Sequence, residues 1–511
     1  MATFESPSPI SRASGVLGRL AALRVGKLPP LVWLYLFTVA VPIAFNVGSL
    51  SLSLMRVLLI VMTIPLIAML FSGRAGKVLP TDILFGLHMV WAIIAIGVNS
   101  PSRVVENMGS TGIEFVGGYL LGRMYIRTPE QFMALFRALF VMVLVLVPFA
   151  LYENRTGDAP VLDFIRDTLH LGTFADVSMP KRMGLERPQV VFAHPIHYGV
   201  FCSLTFAMCY VGFRETFATG QRMLFAAVIA MSVFLSLSSG ALLAVVMQCS
   251  LIFWAYLFRN NPARWKILFG LLAFFYVVID LLSNRTPIDV FMTYATFSPH
   301  TAYWRKIIFD WGMINVWANP VFGLGLRNWV RPRWMGSGSM DNFWLVMAVR
   351  YGIPGFLLIA AGYLDLLRRI ALRKLDADPG VARIRLAWMF TLIGLTFSLS
   401  TVSIWTAAYS FVFFLVGSGV WLTSYEPKGL ALPAEAPPQA GGLRFSRRKT
   451  DPVFTRDPQQ SAPADRNELR HSRSRADLAP KARPEAEPPA RREDLRFTRY
   501  PRNPGDGHTE D

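Results

Sequence analysis

The sequence predicts an all-α polytopic membrane protein with about twelve transmembrane helices, and three observations carry that prediction. Apolar windows of about 20 residues, the length that crosses a bilayer, recur along most of the chain. Only 16% of the residues are charged and 53% are hydrophobic, whereas a soluble domain carries about 25% charge. The short polar connections between windows are basic at every second position along the chain, the pattern of the positive-inside rule.

The windows lie near 30–48, 52–71, 81–98, 109–126, 131–152, 192–212, 221–237, 239–258, 265–283, 342–366, 385–403 and 405–424. A cytoplasmic segment, 1–29, precedes them with Arg12, Arg19, Arg24 and Lys27. No small-residue cleavage site follows the first window, so it reads as a retained helix. With the N-terminus inside, the inner connections hold Arg74 and Lys77, Arg123 and Arg127, Arg214 and Arg222, Arg259 and Arg264, then the basic run from Arg368 to Arg385. The membrane domain ends near 424. Residues 425–511 are rich in Pro, Arg, Glu and Ser and poor in large apolar side chains, which predicts a disordered tail. Both termini are then cytoplasmic.

The net charge of +18 does not indicate nucleic acid, because the cations are spread between apolar blocks and along the tail. The three cysteines (Cys202, Cys209, Cys249) lie in apolar segments and indicate neither a disulfide framework nor a metal site. Inside the spans, Arg56 and Glu114 are candidates for an interior ion pair with either a functional or a structural role.

Two outer connections, 153–191 and 284–341, are long and basic, against the topology bias. The first carries Arg155, Arg166, Lys181, Arg182 and Arg187. The second, between the ninth and tenth helices, carries Arg305, Arg327, Arg331, Arg333 and Asp341 among several tryptophans. Loops of that length are functional or disordered, and the aromatic content argues against disorder. Retained positive charge points to an anionic ligand. Three short motifs carry less. Asp376-Ala-Asp378 reads as a solvated turn. Gly323-Leu-Gly325 lacks the strand and third glycine of a dinucleotide fingerprint. His194 and His197 have metal-ligand spacing without acidic or thiol partners and read as helix-entry residues.

A more specific constellation runs through the chain. Arg187-Pro-Gln-Val-Val-Phe-Ala-His194-Pro195 opens the sixth span, and Ser236-Leu-Ser-Ser-Gly240 joins the seventh and eighth. Tyr303-Trp304-Arg305, Asn319-Pro320-Val-Phe-Gly323-Leu-Gly325 and Asp341-Asn342-Phe-Trp-Leu345 follow, leading into Tyr351-Gly352-Ile-Pro-Gly355. This order and spacing, over residues 30–424, resembles the O-antigen ligase and O-antigen polymerase superfamily of bacterial envelope proteins.

The resemblance implies a glycosyltransferase of the bacterial inner membrane, acting at the periplasmic face on a polyprenyl-pyrophosphate-linked oligosaccharide, with neither cofactor nor metal. Arg187 and Arg305 would hold the pyrophosphate, with Arg182, His194, Arg327 and Asn342 completing the substrate site. Ligases usually place a histidine directly before the asparagine where this chain has Asp341. Asp341 is then either the base for an acceptor hydroxyl, a group that orients the acceptor, or a cap of the tenth helix. The departure favours polymerisation of lipid-linked repeat units over ligation to lipid A core, and a chain-length regulator is a candidate partner alongside membrane lipids. A twelve-span transporter or flippase is the alternative of another class. The lack of an evident internal repeat and the charge concentrated in outer loops weigh against it.

Overall fold

The computed structural model describes residues 28–426, apart from 49, 75, 178, 285, 287–289 and 291–298. The expected N-terminal segment up to residue 27 and the proline-rich tail from 427 lie outside the described residues. What is described is an all-α bundle. Nine helices among the described residues are long and apolar enough to cross a membrane.

The first window holds a shorter helix than the sequence predicts. Helix α1, Pro30–Ala40, stops after 11 residues, about 16 Å of rise against the roughly 30 Å of a bilayer core. Pro42 is the cause, since proline disfavours a helical residue before it and lacks an N–H. The rest of the window turns back as an antiparallel hairpin, β1 Ala44–Val47 on β2 Leu50–Ser53, in register from Ala44 opposite Ser53 to Val47 opposite Leu50.

The helices that follow are α2 Leu54–Phe71, α3 Pro80–Asn99, α4 Val104–Tyr125 and α5 Pro129–Thr156. The sixth window is broken into α6 Pro195–Ser203 and α7 Phe206–Tyr210, followed by α8 Thr219–Leu235, α9 Ser239–Leu257 and α10 Arg264–Leu282. Helix α11, Pro299–Ala318, lies within the long connection, and α12 Phe343–Leu372, α13 Pro379–Leu399 and α14 Thr406–Ser418 complete the bundle. All twelve windows therefore contain helix. α1 and the 17-residue α8 are short for a span, and α4 is long but polar.

The polarity of α4 has a packing reason. It carries Glu106, Asn107, Glu114 and Arg123, yet its second half is buried between neighbours rather than facing lipid. Helices without a side chain at the contact approach until their backbones touch. A Cβ on Gly122 would sit 2.1 Å from the Phe414 carbonyl oxygen, one on Gly118 2.5 Å from that of Ser410, and one on Gly417 2.1 Å from that of Tyr119. Arg56 of α2 and Glu114 of α4 do pair, at 2.7 Å.

Contacts between connections define one end of the bundle. Ala44 N–H donates to Gly172, Phe343 N–H to the Val402 carbonyl, and the Asn99 side chain to the Phe322 carbonyl. The connections at the opposite end are those with Arg74, Lys77, Arg127, Arg214, Arg259, Arg373 and Lys374. At the first end α12 is sharply kinked, because Gly352 has φ 73° and ψ 178°. The segment 320–325 replaces the missing helical bonds. Leu324 N–H donates to Val349, Gly325 N–H to Arg350, and Ile353 N–H to Pro320. Gly323 and Gly352 permit this contact, since a Cβ on Gly352 would stand 2.0 Å from the Val321 oxygen. That is the structural reason for the Gly323-Leu-Gly325 pattern.

Candidate active site

Two connections at that end bring arginines together around one carboxylate, against the turn between α8 and α9. The first comes from the 157–194 connection. A two-residue turn at Met183 and Gly184, both at positive φ, closes Arg182 and Leu185 onto each other through paired backbone bonds of 3.0 Å, the geometry of a tight hairpin. This aims the Arg182 side chain at the α8–α9 turn, where it donates to the Leu237 carbonyl at 2.7 Å. Arg187, only 7% exposed, points its Nη1 at the Met179 sulfur, a weak acceptor, and its Nε has no partner.

The second arginine source is α11. The sequence reading treats this stretch as loop, although its buried positions Arg305, Ile308, Gly312, Asn315 and Val316 follow helical spacing. Helix α11 seats Arg305 against the start of α9, where Nη2 donates to Ser239 Oγ at 2.8 Å. Its Nε and Nη1 are buried without a partner. The Ser236–Gly240 motif thus anchors two arginines at once. It makes this turn through Leu237 at φ 48°.

The carboxylate is Asp341, which acts electrostatically on Arg182, Arg187, His194 and Arg305 alike. It does not cap α12. Asn342 does so, its side chain accepting from Leu345 N–H at 3.1 Å, while Asp341 accepts from Ser339 Oγ at 2.9 Å. Burial, reinforced by Arg182, pulls Arg187 down to about 10 against the pull of Asp341. Arg305 is also drawn down to about 10, by burial first and by Arg182, again opposed by Asp341. Burial lowers Arg182 as well. All three stay charged at neutral pH. His194 is held down to about 4, chiefly by burial and then by Arg187, so it stands as a neutral ring. Its Nδ1 accepts from Ile196 N–H and caps α6. The His197 ring packs against Trp405 at 4.1 Å between centroids, and the His194 ring at 5.5 Å. No third His, Cys, Asp or Glu joins the two histidines as a metal site among the described residues.

Helix geometry adds to the positive field. The N-termini of α6, α9, α12 and α14 lie at this end of the bundle, beside His194, Ser239, Asn342 and Trp405, and bring the positive ends of their helix dipoles.

Arg327, expected with the others, lies elsewhere. It bonds the Asn99 side chain and faces a separate cavity. The sequence reading also misses Glu153, at the end of α5. Its two oxygens accept from Gln189 N–H at 2.7 Å and Val190 N–H at 2.9 Å, fixing the backbone just after Arg187. Val190 is held at φ 56°, an outlying conformation for a β-branched residue. Glu153→Ala is expected to destabilise the protein by about 2–4 kcal/mol, because the buried N–H groups of Gln189 and Val190 lose their acceptors. It should also expose the 157–190 connection to protease. Unchanged melting and cleavage would reject this bracing role.

The arrangement can hold an anion with several charge-assisted bonds beside a carboxylate able to take a proton. Residues 224–360 match the family model described as O-antigen ligase. This span includes Ser239, Arg305, Arg327, Asp341 and Asn342 but not the arginines of the 157–194 connection. Among curated proteins, none matches the chain. Residues 224–360 are thus similar to an O-antigen ligase domain, which is consistent with a polytopic member of the O-antigen ligase and polymerase superfamily.

Proposed function

We propose that the protein is a membrane glycosyltransferase that polymerises polyprenyl-pyrophosphate-linked oligosaccharide repeat units at the periplasmic face of the bacterial inner membrane. The observation that carries this reading is the cradle itself, in which buried guanidinium N–H groups of Arg187 and Arg305 lack partners around a single carboxylate. An unsatisfied buried donor costs about 1–3 kcal/mol, and a pyrophosphate supplies the acceptors. The orientation is supported by the Arg- and Lys-bearing connections at the other end of the bundle, which by the positive-inside rule face the cytoplasm with both termini.

In the reaction, the acceptor hydroxyl oxygen attacks the anomeric carbon of the donor sugar. The bond from that carbon to the pyrophosphate oxygen breaks, and its electron pair leaves with the lipid pyrophosphate. Arg187 and Arg305, with Arg182 behind them, stabilise the charge that grows on the leaving oxygen. Asp341 takes the hydroxyl proton. His194 contributes as a neutral ring, by position.

Asp341→Asn is expected to lower polymer formation by about 10²–10⁴-fold while undecaprenyl pyrophosphate still binds. The measurement uses purified protein in liposomes with a synthetic lipid-linked oligosaccharide, read as a ladder on a gel. A ladder of undiminished intensity would remove Asp341 from the chemistry. Ligation to lipid A core is the second reading, favoured by the description of the matching family. Transfer to added lipid A core, without a ladder, would establish it in place of polymerisation.

A further inference from the structure

A cavity of about 550 Å³ adjoins the cradle, within the roughly 300–1,000 Å³ usual for ligand sites. Its wall includes Ser339, which bonds Asp341, and Trp405, which packs on both histidines. A sugar lying here would stand beside the residues that hold Asp341 and the two histidines.

The charge of the lining is one-sided. Arg103, Arg327 and Arg350 face the cavity, and Glu114 is the lone acidic residue among those that line it. Glu114 is already neutralised by Arg56 at 2.7 Å. Arg103 stands 3.9 Å from Glu106 in an exposed pair, Arg327 is held by the neutral Asn99 side chain, and Arg350 is exposed. Two further polar atoms of the lining, Asn107 Oδ1 and Thr406 Oγ1, are buried without a partner. Thr406 is kept at φ 50°, a conformation that β-branched residues avoid. Trp329, Trp405 and Tyr409 supply aromatic surface for sugar rings. The cavity thus offers aromatic faces, unpaired acceptors for hydroxyl groups, and three guanidinium forks whose geometry matches a carboxylate.

We infer that this cavity binds the acceptor glycan and selects one that carries a carboxylate-bearing sugar. The acceptor assignment rests on the transfer reading above, whereas the acidic preference rests on the lining alone.

The test uses the full-length protein in nanodiscs, with tetragalacturonate and neutral maltotetraose as probes and calorimetry as the readout. Tetragalacturonate is expected to bind at least about tenfold tighter, a difference of about 1.4 kcal/mol. The double variant Arg327→Gln with Arg350→Gln should abolish that preference and leave undecaprenyl pyrophosphate binding unchanged, while Arg305→Ala should do the reverse. Arg103→Gln, at an exposed position outside the kinked region, gives a second reading if the double variant fails to fold, and should lower the preference by severalfold. Equal affinity for the two probes, or binding of neither, would overturn the inference. So would displacement of tetragalacturonate by glycan-free undecaprenyl pyrophosphate, which would place the acid in the cradle. If undecaprenyl pyrophosphate does not bind but the arginine-dependent preference holds, the transfer reading falls and the acidic-glycan cavity stands.

Discussion

Arg305→Met is expected to lower glycan transfer by about 10²–10³-fold, the usual loss for one pre-aligned donor to a developing charge, while raising thermal stability by a few degrees. The two effects have one cause. Arg305 is 8% exposed with two unpartnered nitrogens, so the resting protein holds a buried charge that only a ligand can complete. Methionine fills similar space without that desolvation cost, although it gives up the bond to Ser239. Opposite signs in stability and activity are the signature of a site organised for its substrate at the expense of the empty protein. Arg305→Lys should recover little of the activity, because an ammonium is a point charge and not a planar fork. The liposome ladder and differential scanning fluorimetry on the same preparation decide the matter. A fall in melting temperature with transfer intact would make Arg305 a structural residue.

Gly122→Val is expected to prevent accumulation of folded protein, and Gly122→Ala to cost more than the 1–3 kcal/mol typical of overpacking. A Cβ has no rotamer to escape into, and here it would meet the Phe414 oxygen at 2.1 Å and the Ser418 nitrogen at 2.8 Å. α4 and α14 would have to move apart by about an ångström, and the close pairings at Gly118 and Gly417 would be lost with them. Gly86→Ala and Gly270→Ala are the controls, since nothing lies within 4 Å of either position. They should be neutral or slightly stabilising, by about 0.5–1 kcal/mol. Fluorescence-detected gel filtration of tagged protein separates the outcomes. A monodisperse Gly122→Val peak of normal height would show that the helices are not in backbone contact.

Much of this fold was legible in the sequence because lipid imposes a simple rule, and every apolar window contains a helix. The exceptions follow from local chemistry. Pro42 stands in a run of apolar residues that by themselves read as one long span, so the sequence predicts a longer first helix than the 11 residues of α1. Helix α11 has a readable period, from Arg305 through Ile308 and Gly312 to Asn315, yet tryptophans and charges on its other face made it look like loop. For the site, the sequence singles out Arg182, Arg187, His194, Arg305 and Asp341, and the first four lie within the electrostatic reach of the fifth. Arg327 was grouped with them by chain proximity, whereas the bond to Asn99 of α3 turns it toward the cavity. Asp341 reads from the sequence as a possible cap, but the residue that caps α12 is its neighbour Asn342. Glu153 was illegible in principle, because its partners are backbone N–H groups 36 and 37 residues downstream, and backbone groups leave no mark on composition.

The stitched kink of α12 has a consequence for how sugar choice is encoded. The bonds that hold 320–325 against 349–353 run from main chain to main chain, so they ask for glycine at Gly323 and Gly352 but for no particular side chain at Arg327 or Arg350. Frame and reader are written in different parts of the same peptide. If the proposed cavity reads the acceptor, the reader can be rewritten by exchanging a few exposed side chains while the loop keeps its shape.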